Sequence, residues 1–311
     1  MNNLDIGTYR LVQSVKRLGG QRRPGLDKGV TLADRLYLDA MSAAFSGRDT
    51  TPDDFVARMI AKTLAAARIG EIAKSDFERM SAADRENLAN ALCSMAPSTT
   101  HAALPRRPGN HLPILSPNIL PEVIVDLVFR ARAGYEGPDG VRHQGAWTES
   151  QAAHALATAV IAGLRAGTEA ALLAFVHNAH LALMPDIPHL VEASMGSECL
   201  QQMEAAARGR LLADLGSERE GQFLFQSLKG PPSTEVTAAV DEADFIDRTL
   251  WLIEIAPPWL DLDDSNQLRR TLCNEDHRLE RQLVLLDEIM RNTVAHTLEW
   301  SLPGRGDRDS E

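Results

Sequence analysis

The sequence predicts an all-α protein, a multi-helix bundle of roughly ten helices with no significant sheet. Three observations carry that prediction. Alanine and leucine dominate while aromatic residues are only 5% of the 311-residue chain, and both are strong helix formers. Helix start and stop signals are frequent along the chain. Apolar residues recur at three- and four-residue spacing rather than in alternation.

The elements follow in order. Thr31-Leu32-Ala33-Asp34 opens a helix to about Ser46, with Gly47 closing it. Thr51-Pro52-Asp53-Asp54 is a second start. The threonine caps, the proline suits the first turn, and two carboxylates face the positive end of the helix dipole. Phe55, Met59, Ile60, Leu64 and Ala67 then share one face. Another helix begins near Ser81 and carries Leu88, Leu92 and Met95.

Pro97, Pro105, Pro108, Pro113, Pro117 and Pro121 break regular structure between two helical regions. A structureless segment of that length predicts a boundary. The division is an N-terminal helical subdomain over 1–97, a proline-rich linker or long loop over 98–118, a C-terminal helical bundle over 119–302 and a disordered tail over 303–311.

Val123 to Phe129 is the one strand-like run, but Pro121-Glu122 reads as a helix start and the run is too isolated to build a sheet. A Gly-rich turn spans Gly134 to Gly145. Thr148-Glu149-Ser150-Gln151 has capping-box spacing and predicts a helix from Thr148 to about Ala166. Gly167-Thr168 separates it from a helix running to Leu183. Further helices are predicted over Ser197–Leu215, Ser217–Leu228, Thr234–Ala256 and about Ser265–Trp300. No repeat of fixed period is present, so a solenoid is not supported.

The formal net charge of −11 argues against a uniformly basic nucleic-acid surface and against attraction to anionic membranes. The local basic run from Lys16-Arg17 through Arg22-Arg23 to Lys28, rich in glycine, reads as a solvated loop between helices. Arg106-Arg107 and Arg130-Ala131-Arg132 read as solvated basic pairs. Cys93, Cys199 and Cys273 are far apart and form no CxxC pair, so each reads as a small buried residue in a reducing compartment. No signal-peptide order and no membrane-length apolar run is present. The expectation is a cytoplasmic protein, with export by a signal-less route also compatible, and no membrane partner.

Near the C-terminus, Arg291-Asn292-Thr293-Val294-Ala295-His296 lies in a strongly periodic helical stretch. Arg291 and His296 are about 140° apart in azimuth, on adjoining flanks of one helix, and His296 sits above Asn292. Guanidinium offers fixed, forked donors to phosphate, and imidazole titrates near neutral pH. The looser arginine-to-histidine spacing also occurs at Arg106/His111 and Arg270/His277, but only Arg291 is followed by asparagine. The motif Arg291-Asn292-x-x-x-His296 resembles the signature of HEPN-domain ribonucleases. It departs from that family in lying deep inside a helix and in having Thr297 after the histidine. The resemblance implies metal-independent RNA cleavage across a homodimer, in stress response or defence. His296 would act as general acid or base, Arg291 would hold the scissile phosphate, and Asn292 would orient the histidine. No cofactor is implied. The alternative is a non-catalytic helical adaptor or effector working through a protein partner.

A second cluster is His177-x-x-His180, with Asp186 and His189 nearby and His154 on the preceding helix. Histidines at i and i+3 share a helix face, and a third ligand would complete a zinc or iron site. No HExxH or Glu-x-x-His accompanies them, and Leu172, Leu173, Phe175, Val176 and Leu181 make the helix apolar. They read as core or interface histidines, with His177, His180 and His189 the set a metal would use. No GxGxxG, GxxxxGK[ST] or GxSxG motif occurs.

Overall fold

A computed structural model describes residues 6–21, 30–46, 51–69, 81, 83, 120–132, 135–136, 142–143, 149–187, 194–215, 222–226, 228, 232–255, 282 and 284–293. Among these the fold is all-α, as the sequence predicts. The helices are α1 (Ile6–Arg17), α2 (Leu32–Phe45), α3 (Pro52–Ile69), α4 (Glu122–Phe129), α5 (Gln151–Ala166), α6 (Thr168–Val176), α7 (Ser197–Leu215), α8 (Gln222–Gln226) and α9 (Thr234–Ile255). A last helix, α10, covers residues 284–293. Short 3₁₀ turns follow α1 at Leu18–Gly20 and lie after α6 at Ala179–Ala182. A two-residue antiparallel pair, Tyr135–Glu136 with Arg142–His143, is the one sheet among the described residues.

The central element is α5. Its first twelve residues, Gln151 to Ala162, are all buried, which requires neighbours on every side. These are α6, α9, α2, α1, α3 and α4. Small side chains allow the close approach: a Cβ on Gly163 would stand 2.6 Å from Ile60 Cδ1 and 3.1 Å from Ala171 Cβ. Gly167, at φ +87°, turns the chain from α5 into α6, a backbone region costly for any residue with a Cβ. Tyr37, Phe55, Phe175 and Phe223 form a chain of aromatic contacts from α2 through α6 and α3 to α8, with ring centroids 4.8, 5.7 and 5.4 Å apart. One continuous apolar core joins residues from α1–α3 with residues from α5, α6, α9 and α10. Residues 98–118 and 303–311 lie outside the described residues.

Helix starts show why the punctuation is legible. Thr31 caps α2 in a reciprocal box: its Oγ1 accepts from Asp34 N, and its own N donates to Asp34 Oδ2 at 2.7 Å. At α5 the outcome differs from the expected box at Thr148. The cap is Ser150, two residues later, with Oγ accepting from Ala153 N at 2.9 Å. Ser150 also donates to Asp34 Oδ1, so the two helix starts are tied together. The helix predicted from Gly167-Thr168 to Leu183 also differs. It ends at Val176, and a turn and a 3₁₀ segment carry the chain onward. Ser217–Leu228 is described only in part, with α8 at Gln222–Gln226. Cys199 is exposed rather than buried, because α7 turns only Leu211 and Leu215 fully into the core. No helix among the described residues is long and apolar enough to cross a membrane.

Candidate functional site

The predicted motif is described in part. Arg291 is exposed on α10, and its Nε donates to the Asp287 carbonyl at 3.2 Å. Leu285, Leu286 and Ile289 on the same helix are buried in the core. Arg291 follows Ile289 by about 200° of helical rotation, so it faces away from the packed side. Asn292 is half-buried. The Thr293 hydroxyl bonds that of Tyr9 at 2.7 Å, which fixes α10 against α1. His296 lies outside the described residues.

The densest chemistry lies elsewhere, at the buried N-terminal half of α5. Backbone pairing puts it there: Gln151 N donates to Arg130 O at 2.8 Å and Arg132 N donates to Glu149 O at 2.9 Å. This short ladder sets Arg132 beside Glu149. Lys16 arrives from α1, Asp244 and Asp247 from α9, and His177 from the end of α6. Lys16 Nζ contacts Glu149 Oε1 and lies 2.7 and 2.8 Å from the two Asp247 oxygens. Arg132 Nη1 reaches Glu149 Oε2 at 2.7 Å and Asp247 Oδ2 at 3.2 Å. Lys16 and Glu149 are each 1% exposed and Asp247 is fully buried. The Arg132 guanidinium carbon lies 4.7 Å from the Trp251 ring centroid, a cation–π contact that closes one side.

Two cations and two anions balance each other here, which is what burial at this depth requires. Two sequence expectations therefore fail for one physical reason. Lys16 is a buried helical residue, not part of a solvated loop, and Arg132 is not a solvated basic residue. Local charge pattern is blind to carboxylates that arrive from 133 and 231 residues away.

His154 extends the network. Its Nδ1 is 2.7 Å from Asp247 Oδ2 and its Nε2 is 3.1 Å from Asp244 Oδ1. Burial alone would push its pKa down, and so would Arg132. Asp247 and Asp244, one on each ring nitrogen, outweigh both and hold it above the ordinary histidine value. Burial would raise both aspartates. For Asp244, Arg248 and His154 reverse this, and for Asp247, Lys16, His154 and Arg132 do, so both carboxyls sit below the usual range.

His177 packs edge-to-face on His154, with centroids 5.4 Å apart. Its Nδ1 donates to the Ala174 carbonyl, and its buried Nε2 has no hydrogen-bond partner among the described residues. Burial and the neighbouring His154 push its pKa down to about 4. His180 is also pushed down to about 4, by burial, Arg208 and His177. Comparison with protein-family models, curated proteins and solved structures finds no match for this chain.

The structure regroups the predicted histidines. His177 lies at the C-terminal end of α6 and His180 in the 3₁₀ segment, so the shared face expected of i and i+3 on one α-helix is not formed. Asp186 accepts a hydrogen bond from Gln151 Nε2 at 3.0 Å, and His189 lies outside the described residues. Ring nitrogens of His154 and His177 and an oxygen of Asp244 instead lie within 4.8 Å of one another. So do ligand atoms of Glu149, His154 and Asp247. Sequence reasoning missed Lys16, Arg132, Glu149, Asp244 and Asp247. The usable signal is Asp247, a carboxylate in line with Ala243 and Leu250 where the helical period of α9 demands core.

Proposed function

We propose that this protein cleaves RNA without a metal, with Arg291 holding the scissile phosphate, His296 transferring protons and Asn292 orienting the histidine. The observation that supports this reading is the exposure of Arg291 on the side of α10 turned away from the core. A phosphodiester can be gripped only by a guanidinium that solvent reaches, and forked donors suit the charge that develops on the phosphate oxygens. A homodimer would bring two copies of the motif together.

The test is incubation with RNA in the presence of chelator, comparing wild type, His296→Ala and Arg291→Ala. Cleavage by the wild type and a loss of at least about a hundredfold in either variant is expected, within the range for removing a proton-transfer group or a charge-stabilising donor. Equal cleavage by all three, or none by any, sinks the reading.

A second reading, a non-catalytic adaptor or effector working through a protein partner, is favoured by two exposed apolar side chains. Val284 on α10 is 58% exposed and Phe129 at the end of α4 is 64% exposed. Under it, Val284→Asp would weaken association while His296→Ala would leave it unchanged.

A further inference from the structure

We propose that His154, His177 and Asp244 together bind one divalent transition-metal ion, in a centre with two imidazoles and one carboxylate. The site is independent of the RNA-cleaving reading, which uses no metal. Three features of the geometry carry it. First, a ring nitrogen of each histidine and an oxygen of Asp244 lie within 4.8 Å of one another. Ligand atoms around a tetrahedral ion of this class stand roughly 3.4 Å apart, from metal–ligand distances near 2.0–2.1 Å. Closing that gap requires side-chain shifts of about 1 Å. Asp244, a quarter exposed on its side chain, has room to make one.

Second, the outer partners are in place. His154 Nδ1 is held by the Asp247 carboxylate at 2.7 Å, and His177 Nδ1 donates to the Ala174 carbonyl. This leaves His177 Nε2 open and His154 Nε2 facing Asp244 Oδ1 at 3.1 Å, so an ion would enter between that ring and its carboxylate and replace their direct contact. A carboxylate or backbone carbonyl behind each ligating imidazole fixes its tautomer and raises its basicity. Third, His177 Nε2 is buried with no hydrogen-bond partner among the described residues. A buried acceptor normally finds a donor, and leaving one bare costs free energy. A metal ion would satisfy it.

The overlapping trio of Glu149, His154 and Asp247 is a poorer candidate. Lys16 and Arg132 already occupy its carboxylate oxygens and neutralise both charges. A dication there would add two uncompensated charges to a closed, balanced cluster. At the proposed centre Asp244 uses Oδ2 for Arg248 at 2.9 Å, and Oδ1, which faces His154 Nε2 at 3.1 Å, is the oxygen an ion would share with that ring. Two histidines and one carboxylate leave a coordination position open, as in sites that bind water or a substrate oxygen. The ligand class is therefore zinc or iron(II) rather than calcium or magnesium, which prefer all-oxygen sets.

The experiment measures metal in the full chain after chelator treatment and titration with Zn²⁺, followed by titration with Co²⁺ read by visible absorption. Expected results are one zinc per chain and the strong visible bands of low-coordinate Co²⁺. His177→Ala should lower zinc affinity by more than about a hundredfold, since losing a ligand exceeds the 10–100-fold cost of losing an outer partner. Asp244→Asn, at a partly exposed position, provides a second variant should His177→Ala fail to fold. Cys199→Ser removes an exposed thiol that could hold zinc adventitiously, and should leave the stoichiometry at one. Zinc stoichiometry near zero in wild type overturns the proposal. So does retention of zinc affinity in folded His177→Ala or Asp244→Asn, or loss of zinc in Cys199→Ser.

Discussion

Replacing Lys16 by methionine tests the buried charge balance most directly. Lys16 Nζ meets Glu149 and lies 2.7 and 2.8 Å from the two oxygens of Asp247, all three residues being almost free of solvent. The methionine keeps much of the side-chain volume, so cavity formation contributes little. What changes is charge: Glu149 then keeps only Arg132, Asp247 keeps Arg132 and the His154 ring, and the two buried carboxylates lose one full counter-charge. Removing one partner of a buried ion pair costs about 3–5 kcal/mol. For a chain of this size that corresponds to a fall in Tm of roughly 5–8 °C. Urea unfolding gives the free energy. The double variant Lys16→Met/Glu149→Gln should recover at least half of the loss, because it removes one carboxylate together with the cation. A cost below about 1 kcal/mol for Lys16→Met is the value of a surface pair and would refute the burial and balance described. So would a double variant as unstable as the sum of its single changes.

Two further perturbations read other parts of the fold. Acid should destabilise the protein between pH 6.5 and about 4. His177 and His180 are held near 4, below their ordinary 6.5, so the folded state binds fewer protons than the unfolded chain across that window. Their contribution is complete above pH 6.5 and is lost as pH falls. His154, held above 6.5, runs the other way: its contribution is full below 6.5 and fades as pH climbs through its folded value. The urea midpoint should therefore drop from pH 7 to pH 4.5 and drop less in His180→Gln; a flat profile would contradict the assignment. Gly167→Ala should cost about 1–2 kcal/mol, the penalty for a side chain in the left-handed region, because φ is +87° at the α5–α6 turn. An unchanged melting temperature would show that the turn relaxes freely.

The fold class was legible because its signals are local. Thr31 with Asp34, and Thr51 with Pro52, act within one turn of chain, and both helices begin where these residues place them. The end of α5 at Ala166 before Gly167 is equally local. The start of α5 is less legible because Thr148 and Ser150 both precede a plausible first turn; Ser150 is the cap, and its bond to Asp34 is a long-range one that no local pattern reports. The site was much less legible. His154 and His177 are near one another in sequence, yet their third companion is Asp244, on a helix about ninety residues beyond His154. The neighbours of Lys16 and Arg132 in sequence are of like charge, whereas their partners are Glu149, just before α5, and Asp247 on α9. Pattern within a helix reports on its face; it carries no information on which distant face will meet it.

The charge cluster also imposes an order in time. Lys16 is separated from Asp247 by 231 residues. At a synthesis rate of about 5–20 residues per second, its second partner emerges roughly ten to fifty seconds after the lysine does. Until then an ammonium on α1 has no complete set of anions to enter with, and desolvating it early is costly. The first helix must therefore remain undocked, or docked elsewhere, while most of the chain is made. The arrival of α9 completes the charge cluster, and α10, made after it, then packs on α1 through Thr293 and Tyr9.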